Sequence, residues 1–219
     1  MRGRPAAILF DLDGTLLDSA AAICDAVSAA LFEFGRAVSA EEIHPHLGAP
    51  LDELYAHFVG DDDDHARARF TARYIAHHDA HPRAIAEPFP SVKEALFVLR
   101  HGHAIPMAVA TTKPTPRAHA QLVARGLDDL LDHVQGTDAG MRPKPHPDVI
   151  HAACRALAVD PADVWMVGDT ARDVDAARAA GARAAVICWE DAHVERARSF
   201  GAEVVLRSMG ELVARLTPA

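Results

Sequence analysis

Residues Ala7 to Ser19, AILFDLDGTLLDS, constrain the fold more than any other stretch. An apolar run ends at Asp11, and a second aspartate follows at Asp13, just before Gly14 and Thr15. The run shows no polar alternation, which is the pattern of a strand buried on both faces in a parallel sheet. Side chains two apart on an extended chain face the same way, so Asp11 and Asp13 converge on one spot. Gly14 lets the chain turn at once, because only glycine accepts positive φ without strain. Two carboxylates therefore stand at the carboxyl end of a central strand, where open α/β sheets bind ligands.

Beyond this strand the period becomes helical. Ile23, Val27, Ala30, Leu31 and Phe34 recur at three- and four-residue steps, and Gly35 is the stop. Ser39-Ala40-Glu41-Glu42 is a capping-box pattern for a short helix ending near Gly48. Residues 50–59 give another helix. The four aspartates at 61–64 cap a further one that runs to about Ala80, where acids complement the helix dipole. No strand pattern occurs between Asp18 and Ala84, and Pro82, Pro88 and Pro90 mark the return. From there, strands at 107–110, around Val134, and at 164–167, 184–187 and 203–206 alternate with helices at 93–100, 117–125, 148–158 and 173–180. Asp160-Pro161 opens a single turn as cap and first helical residue. The alternation predicts an α/β fold built on a doubly wound parallel sheet. Residues 1–17 and 85–219 are expected to form this core, with 18–84 as an inserted small α-helical domain.

A chain of 219 residues is long enough for one full core plus an insert. Its net charge of −9 argues against nucleic acid or an anionic membrane as a partner. No apolar run reaches the length of a membrane span, and the start, Met1-Arg2-Gly3-Arg4-Pro5, lacks the apolar region of a secretory leader. The three cysteines, Cys24, Cys154 and Cys188, are far apart and form no CxxC pair, which favours the cytoplasm over a disulfide framework. Of the fourteen histidines, His77, His78 and His81 cluster, and His101 and His103 flank Gly102, but no zinc-ligand spacing appears, so these are expected on the surface or at the interface of the helical insert.

Three later stretches join the opening motif: Val109-Ala110-Thr111-Thr112-Lys113, Lys144-Pro145-His146-Pro147-Asp148, and Val167-Gly168-Asp169-Thr170-Ala171-Arg172-Asp173. In this order and spacing the four resemble the motifs of the haloacid-dehalogenase-like (HAD) hydrolase superfamily, and they cover most of the chain. FDLDGTLLDS, KPHPD and MVGDTARDVDAARAAG look most like its phosphoglycolate phosphatase group. The resemblance implies a Rossmann-like core, with the helical insert acting as a cap.

Asp11 is the candidate nucleophile, since a carboxylate can form an aspartyl-phosphate and split one hard hydrolysis into two easier steps. Asp13 is the candidate acid and base, protonating the leaving oxygen and later deprotonating water. The resemblance supports both roles, and an aspartate at the second position separates the phosphatases from the dehalogenases. Two carboxylates facing a phosphate require a cation, and hard oxygen ligands call for Mg²⁺. The resemblance implies Asp11, the Asp13 carbonyl and Asp169 as its ligands, with Asp173 either a further ligand or a support behind them. Thr111 and Thr112 are expected to bind phosphoryl oxygens, although relatives often carry asparagine at the second of these positions. Lys144, held in a proline-rich segment, is expected to stabilise charge on the transferring group. Lys113 is expected to be solvated, and Cys188 and Trp189 to be packing residues.

The expected activity is Mg²⁺-dependent hydrolysis of a small phosphorylated metabolite, 2-phosphoglycolate first, by a monomer or homodimer without membrane or nucleic-acid partners. A phosphomutase of the β-phosphoglucomutase type, a pyrophosphatase and a phosphonate hydrolase remain open on the same residues. A non-catalytic phospho-ligand-binding or signalling protein is the alternative of a different class.

Overall fold

The computed structural model describes residues 4–60, 63–81 and 85–217. Expectations that rest on Met1 to Gly3, Asp61, Asp62, Pro82 or Ala84 lie outside these residues. The chain divides into two compact units, Met1–Leu17 with Pro88–Ala219, and Asp18–Glu87.

The first unit is built on six strands: β1 (Ala7–Phe10), β4 (Met107–Ala110), β5 (His133–Gln135), β6 (Val164–Gly168), β7 (Arg183–Ile187) and β8 (Val204–Leu206). Two further short strands, β2 (Leu17–Asp18) and β3 (Glu87–Pro88), pair with each other where the chain passes between the units. The six lie in the order β5-β4-β1-β6-β7-β8, every pair parallel. All four residues of β1 are fully buried, as a central strand covered on both faces requires. On one face Ala7, Leu9, Ala108, Ala110 and Met166 pack with Val149, Ile150 and Ala153 of α7 (Asp148–Leu157) and Val174 and Ala177 of α8 (Ala171–Ala180). The remaining helices of this unit are α5 (Val92–Phe97), α6 (Thr115–Arg125), α9 (Val194–Ser199) and α10 (Met209–Leu216). The helix expected at 93–100 stops being α-helical at Phe97 and continues to Gly102 as a wider π turn.

The second unit holds α1 (Ala20–Phe32), α2 (Ala40–Ile43), α3 (Leu51–Phe58) and α4 (Asp64–Ala80). The expected capping box at Ser39 is present: its hydroxyl accepts from the Glu42 amide, and Glu42 accepts from the Ser39 amide. The Asp63 carboxylate caps α4 through the His65 amide. Val27, Leu31, Leu54 and Phe70 share the core with Tyr55, whose ring meets Phe34 edge-on at 5.6 Å. His78 is buried beside Tyr74, on the inward face of α4, so it is not one of the surface histidines. Among the described residues no helix is long and apolar enough to cross a membrane.

Candidate active site

The site forms where neighbouring strands end. Asp11 is the first residue past β1, and its amide donates to the Val167 carbonyl at 2.8 Å, so it prolongs the strand against β6. Its Oδ1 accepts from the Leu12 amide at 2.7 Å and lies 2.9 Å from Lys144 Nζ. Asp169 is the first residue past β6, and its Oδ1 accepts from the Thr15 hydroxyl at 2.9 Å. Asp173 sits in the first turn of α8. One of its oxygens accepts from the amide and hydroxyl of Thr170, at 3.0 and 2.6 Å, and the other faces Lys144 Nζ at 2.5 Å. Lys144 also donates to the Ala110 carbonyl at 3.2 Å, which ties it to the end of β4. One oxygen each from Asp11, Asp169 and Asp173 lies within 4.8 Å of the other two.

Two glycines make this closeness possible. A Cβ at Gly168 would lie 2.1 Å from Asp173 Cγ, and one at Gly14 would lie 2.3 Å from Asp169 Oδ2. Gly14 also has a φ of +79°, so glycine is required there twice over.

Burial sets the electrostatics. Loss of water raises the Asp11 carboxyl to about 6, against the pull of Lys144 and with the push of Asp173. Burial, then the charges of Asp173 and Asp11, raises Asp169 well above the usual carboxylate range. For Lys144 burial alone would lower the ammonium, but Asp11 and Asp173 outweigh it and hold the group above the ordinary lysine value.

Two buried carboxylates, Asp11 and Asp173, and the half-buried Asp169 face one buried ammonium, an excess of two negative charges when all are ionised. The donor set is all oxygen. Both features fit a divalent metal ion at this cluster, where Asp11 and Asp169 have the freer oxygens, since both Asp173 oxygens already face Lys144 and Thr170. The Asp13 carboxylate is not part of this cluster. Both of its oxygens lie 2.8 Å from Lys113 Nζ. Lys113 is therefore not solvated as expected: its side chain is 9% exposed, because the loop after β4 turns the stem back towards Asp13. That loop is shaped by Gly136, where a Cβ would lie 2.3 Å from both the Lys113 carbonyl and the Thr115 amide.

Thr111 is buried just past β4, with its amide bonded to the Gln135 carbonyl and its hydroxyl accepting from the Lys113 amide. The hydroxyl oxygen of Thr112 is buried without a hydrogen-bond partner. Sequence reasoning brought Asp11, Asp169, Asp173 and Lys144 to one point. It missed the reach of Lys113 and of Trp189, whose indole N–H donates to the Gly14 carbonyl.

The parallel sheet, the aspartates at its central strand ends and the buried lysine are those of a hydrolase with a Rossmann-like core. Residues 8–187 match the haloacid dehalogenase-like hydrolase family, and the chain belongs to it. The pyrophosphatase PpaX of Halalkalibacterium halodurans is 30% identical over 94% of this chain and 94% of its own. A plasmid phosphoglycolate phosphatase of Cupriavidus necator is 31% identical over 97% of this chain and 94% of its own. The solved structure of a haloacid dehalogenase-like family hydrolase from Streptococcus pneumoniae superposes with a TM-score of 0.81, at 27% identity, covering 95% of this chain and 96% of that one.

Proposed function

We propose that this chain is a Mg²⁺-dependent phosphatase that hydrolyses a small phosphomonoester, 2-phosphoglycolate first, through an aspartyl-phosphate on Asp11. The observation that carries this reading is the buried cluster in which Lys144 touches both Asp11 and Asp173 beside Asp169. The Leu12 amide and Lys144 both engage Asp11 Oδ1 and fix the carboxylate plane, which leaves Oδ2 to attack phosphorus. A bond forms from Oδ2 to phosphorus as the ester P–O bond breaks, and Asp13 gives its proton to the leaving oxygen. Water then attacks the phosphorus, Asp13 takes the water's proton, and inorganic phosphate leaves with Asp11 regenerated.

Lys113 holds the Asp13 carboxylate between these steps, and the Thr111 hydroxyl donates to a phosphoryl oxygen; the Thr112 hydroxyl, buried as it stands, would join it only after a side-chain rotation. Lys144 stays fixed between two carboxylates and offsets charge on the transferring group. Mg²⁺, when bound, supplies the positive charge that lets an anionic ester approach the carboxylates. Asp11, Asp169 and the Asp13 carbonyl would hold it. Asp173, with both oxygens engaged by Lys144 and Thr170, acts in this reading mainly by orienting the lysine. The helical unit is read as a cap that selects substrate, in a cytoplasmic monomer or homodimer.

Pyrophosphate is the second reading, supported by the relative of that name. The deciding experiment is phosphate release from 2-phosphoglycolate, pyrophosphate, an aryl phosphate, a phosphonate and β-glucose 1-phosphate, with Mg²⁺ and with EDTA. The expected result is Mg²⁺-dependent release that is fastest from 2-phosphoglycolate. Release from no phosphate ester in Mg²⁺, or full turnover in EDTA, would reject the reading.

A further inference from the structure

Trp189 stands two residues past β7 and takes no part in the chemistry above. Its indole N–H donates to the Gly14 carbonyl at 3.2 Å. Its ring stacks on Phe89, with centroids 4.4 Å apart and planes 8° from parallel. Both side chains are half-buried. Strand order explains the reach, because β7 lies beside β6 and β6 beside β1.

The carbonyl that Trp189 bonds belongs to the peptide joining Gly14 to Thr15. That peptide's own N–H makes only a long bond, from Thr15 to the Leu12 carbonyl at 3.4 Å. The preceding peptide is better held, with the Gly14 amide 2.9 Å from the Leu17 carbonyl. The indole is therefore the firmer of the two restraints on the Gly14–Thr15 plane. Beyond this plane the Thr15 hydroxyl meets Asp169 Oδ1, and Gly14 packs so close to the same carboxylate that a Cβ there would lie 2.3 Å from Oδ2. Rotating the plane would disturb Asp169 from two sides. Phe89 is anchored to the same loop, its amide donating to the Leu16 carbonyl at 3.0 Å.

We propose that Trp189 is a positioning residue. Its N–H fixes the Gly14–Thr15 peptide, and through Thr15 the Asp169 carboxylate, while Phe89 holds the indole in its plane. It touches no reacting atom. The inference rests on the reading of Asp169 as a metal-holding group.

The test uses the full chain. Trp189→Phe keeps a ring to stack on Phe89 and removes the donor. Mg²⁺ binding measured by titration calorimetry should weaken about 3- to 10-fold, the scale of one hydrogen bond. The kcat should fall by a similar factor at unchanged KM, with unchanged thermal melting in EDTA. Phe89→Leu keeps the donor and removes one wall, so it should give smaller losses in the same direction. Wild-type Mg²⁺ affinity in Trp189→Phe would overturn the proposal. So would a lowered melting point in EDTA with unchanged Mg²⁺ affinity in both variants, since that is packing alone. The calorimetric readout decides the matter whether or not a given substrate is turned over. A wild type that binds no Mg²⁺ would overturn this inference together with the assignment of Asp169.

Discussion

Asp11 and Asp13 are two positions apart, yet each has its own lysine, Lys144 for the first and Lys113 for the second. The difference separates their expected phenotypes. Asp11→Asn should abolish the covalent intermediate and nearly all turnover. Asp13→Asn should lose about 10²–10⁴-fold on an alkyl phosphate, whose leaving group needs a proton. On an aryl phosphate with an acidic phenol it should still phosphorylate, then stall, giving an initial burst of phenol in rapid-mix kinetics. A burst from Asp11→Asn and none from Asp13→Asn would reverse the two roles. Lys144→Met leaves two buried carboxylates without their partner and should lower stability by about 3–5 kcal/mol in urea melts, as well as stopping turnover. Asp11 and Asp13 were readable in advance because they stand at a strand end, and Lys144 because it opens the Lys144-Pro145-His146-Pro147-Asp148 stretch. Lys113 was not: its partner lies 100 positions away, and nothing local in Thr111-Thr112-Lys113-Pro114 says which way a flexible four-carbon stem will turn.

At the scale of elements, the junction between β6 and α8 does the most. Gly168 ends the strand, Asp169 follows, and Thr170 caps a helix whose third residue, Asp173, folds back over the glycine. Gly168→Ala must push Asp173 off Lys144, so it should cost about 1–3 kcal/mol of stability and weaken Mg²⁺ binding. Gly102→Ala is the matched control. There the added methyl would meet only Val98 Cγ1 at 3.7 Å, an ordinary contact, so Mg²⁺ affinity and urea midpoint should stay near wild type. A Gly168→Ala chain with unaltered metal affinity would refute the coupling. The strand and helix alternation of this unit was legible because long apolar runs and glycine stops carry it. The two-residue strands β2 and β3 were not, since periodicity needs more residues than that to show itself. Helices α9 and α10, of six and eight residues, also went unread.

Across the molecule, the residues proposed for the chemistry lie in one unit, since Asp11, Asp13, Lys113, Lys144, Asp169 and Asp173 all belong to Met1–Leu17 or Pro88–Ala219. If the helical unit selects substrate, removing Asp18–Glu87 and bridging the ends should spare hydrolysis of a small aryl phosphate and erase preference among metabolites. A folded remainder that binds no Mg²⁺ and releases no phosphate would contradict that division of labour. Mg²⁺ at 100 times its dissociation constant should stabilise the intact chain by about 2.7 kcal/mol, visible as a higher melting temperature than in EDTA. The sheet's order has a further consequence, for the chain while it is being made. β1 is synthesised first but lies in the middle, pairing with β4 and β6. Val164, where β6 begins, comes 154 positions after Phe10. At ordinary ribosomal speed that interval lasts roughly 8–30 s, during which β1 lacks one neighbour or both. The Asp18–Glu87 segment emerges within it and is contiguous, so its four helices are free to pack while the strand waits. An unpaired apolar strand invites wrong partners. The central place that sets Asp11 at the candidate site thus also makes Ala7–Phe10 the stretch with most to lose from a slow or stalled ribosome.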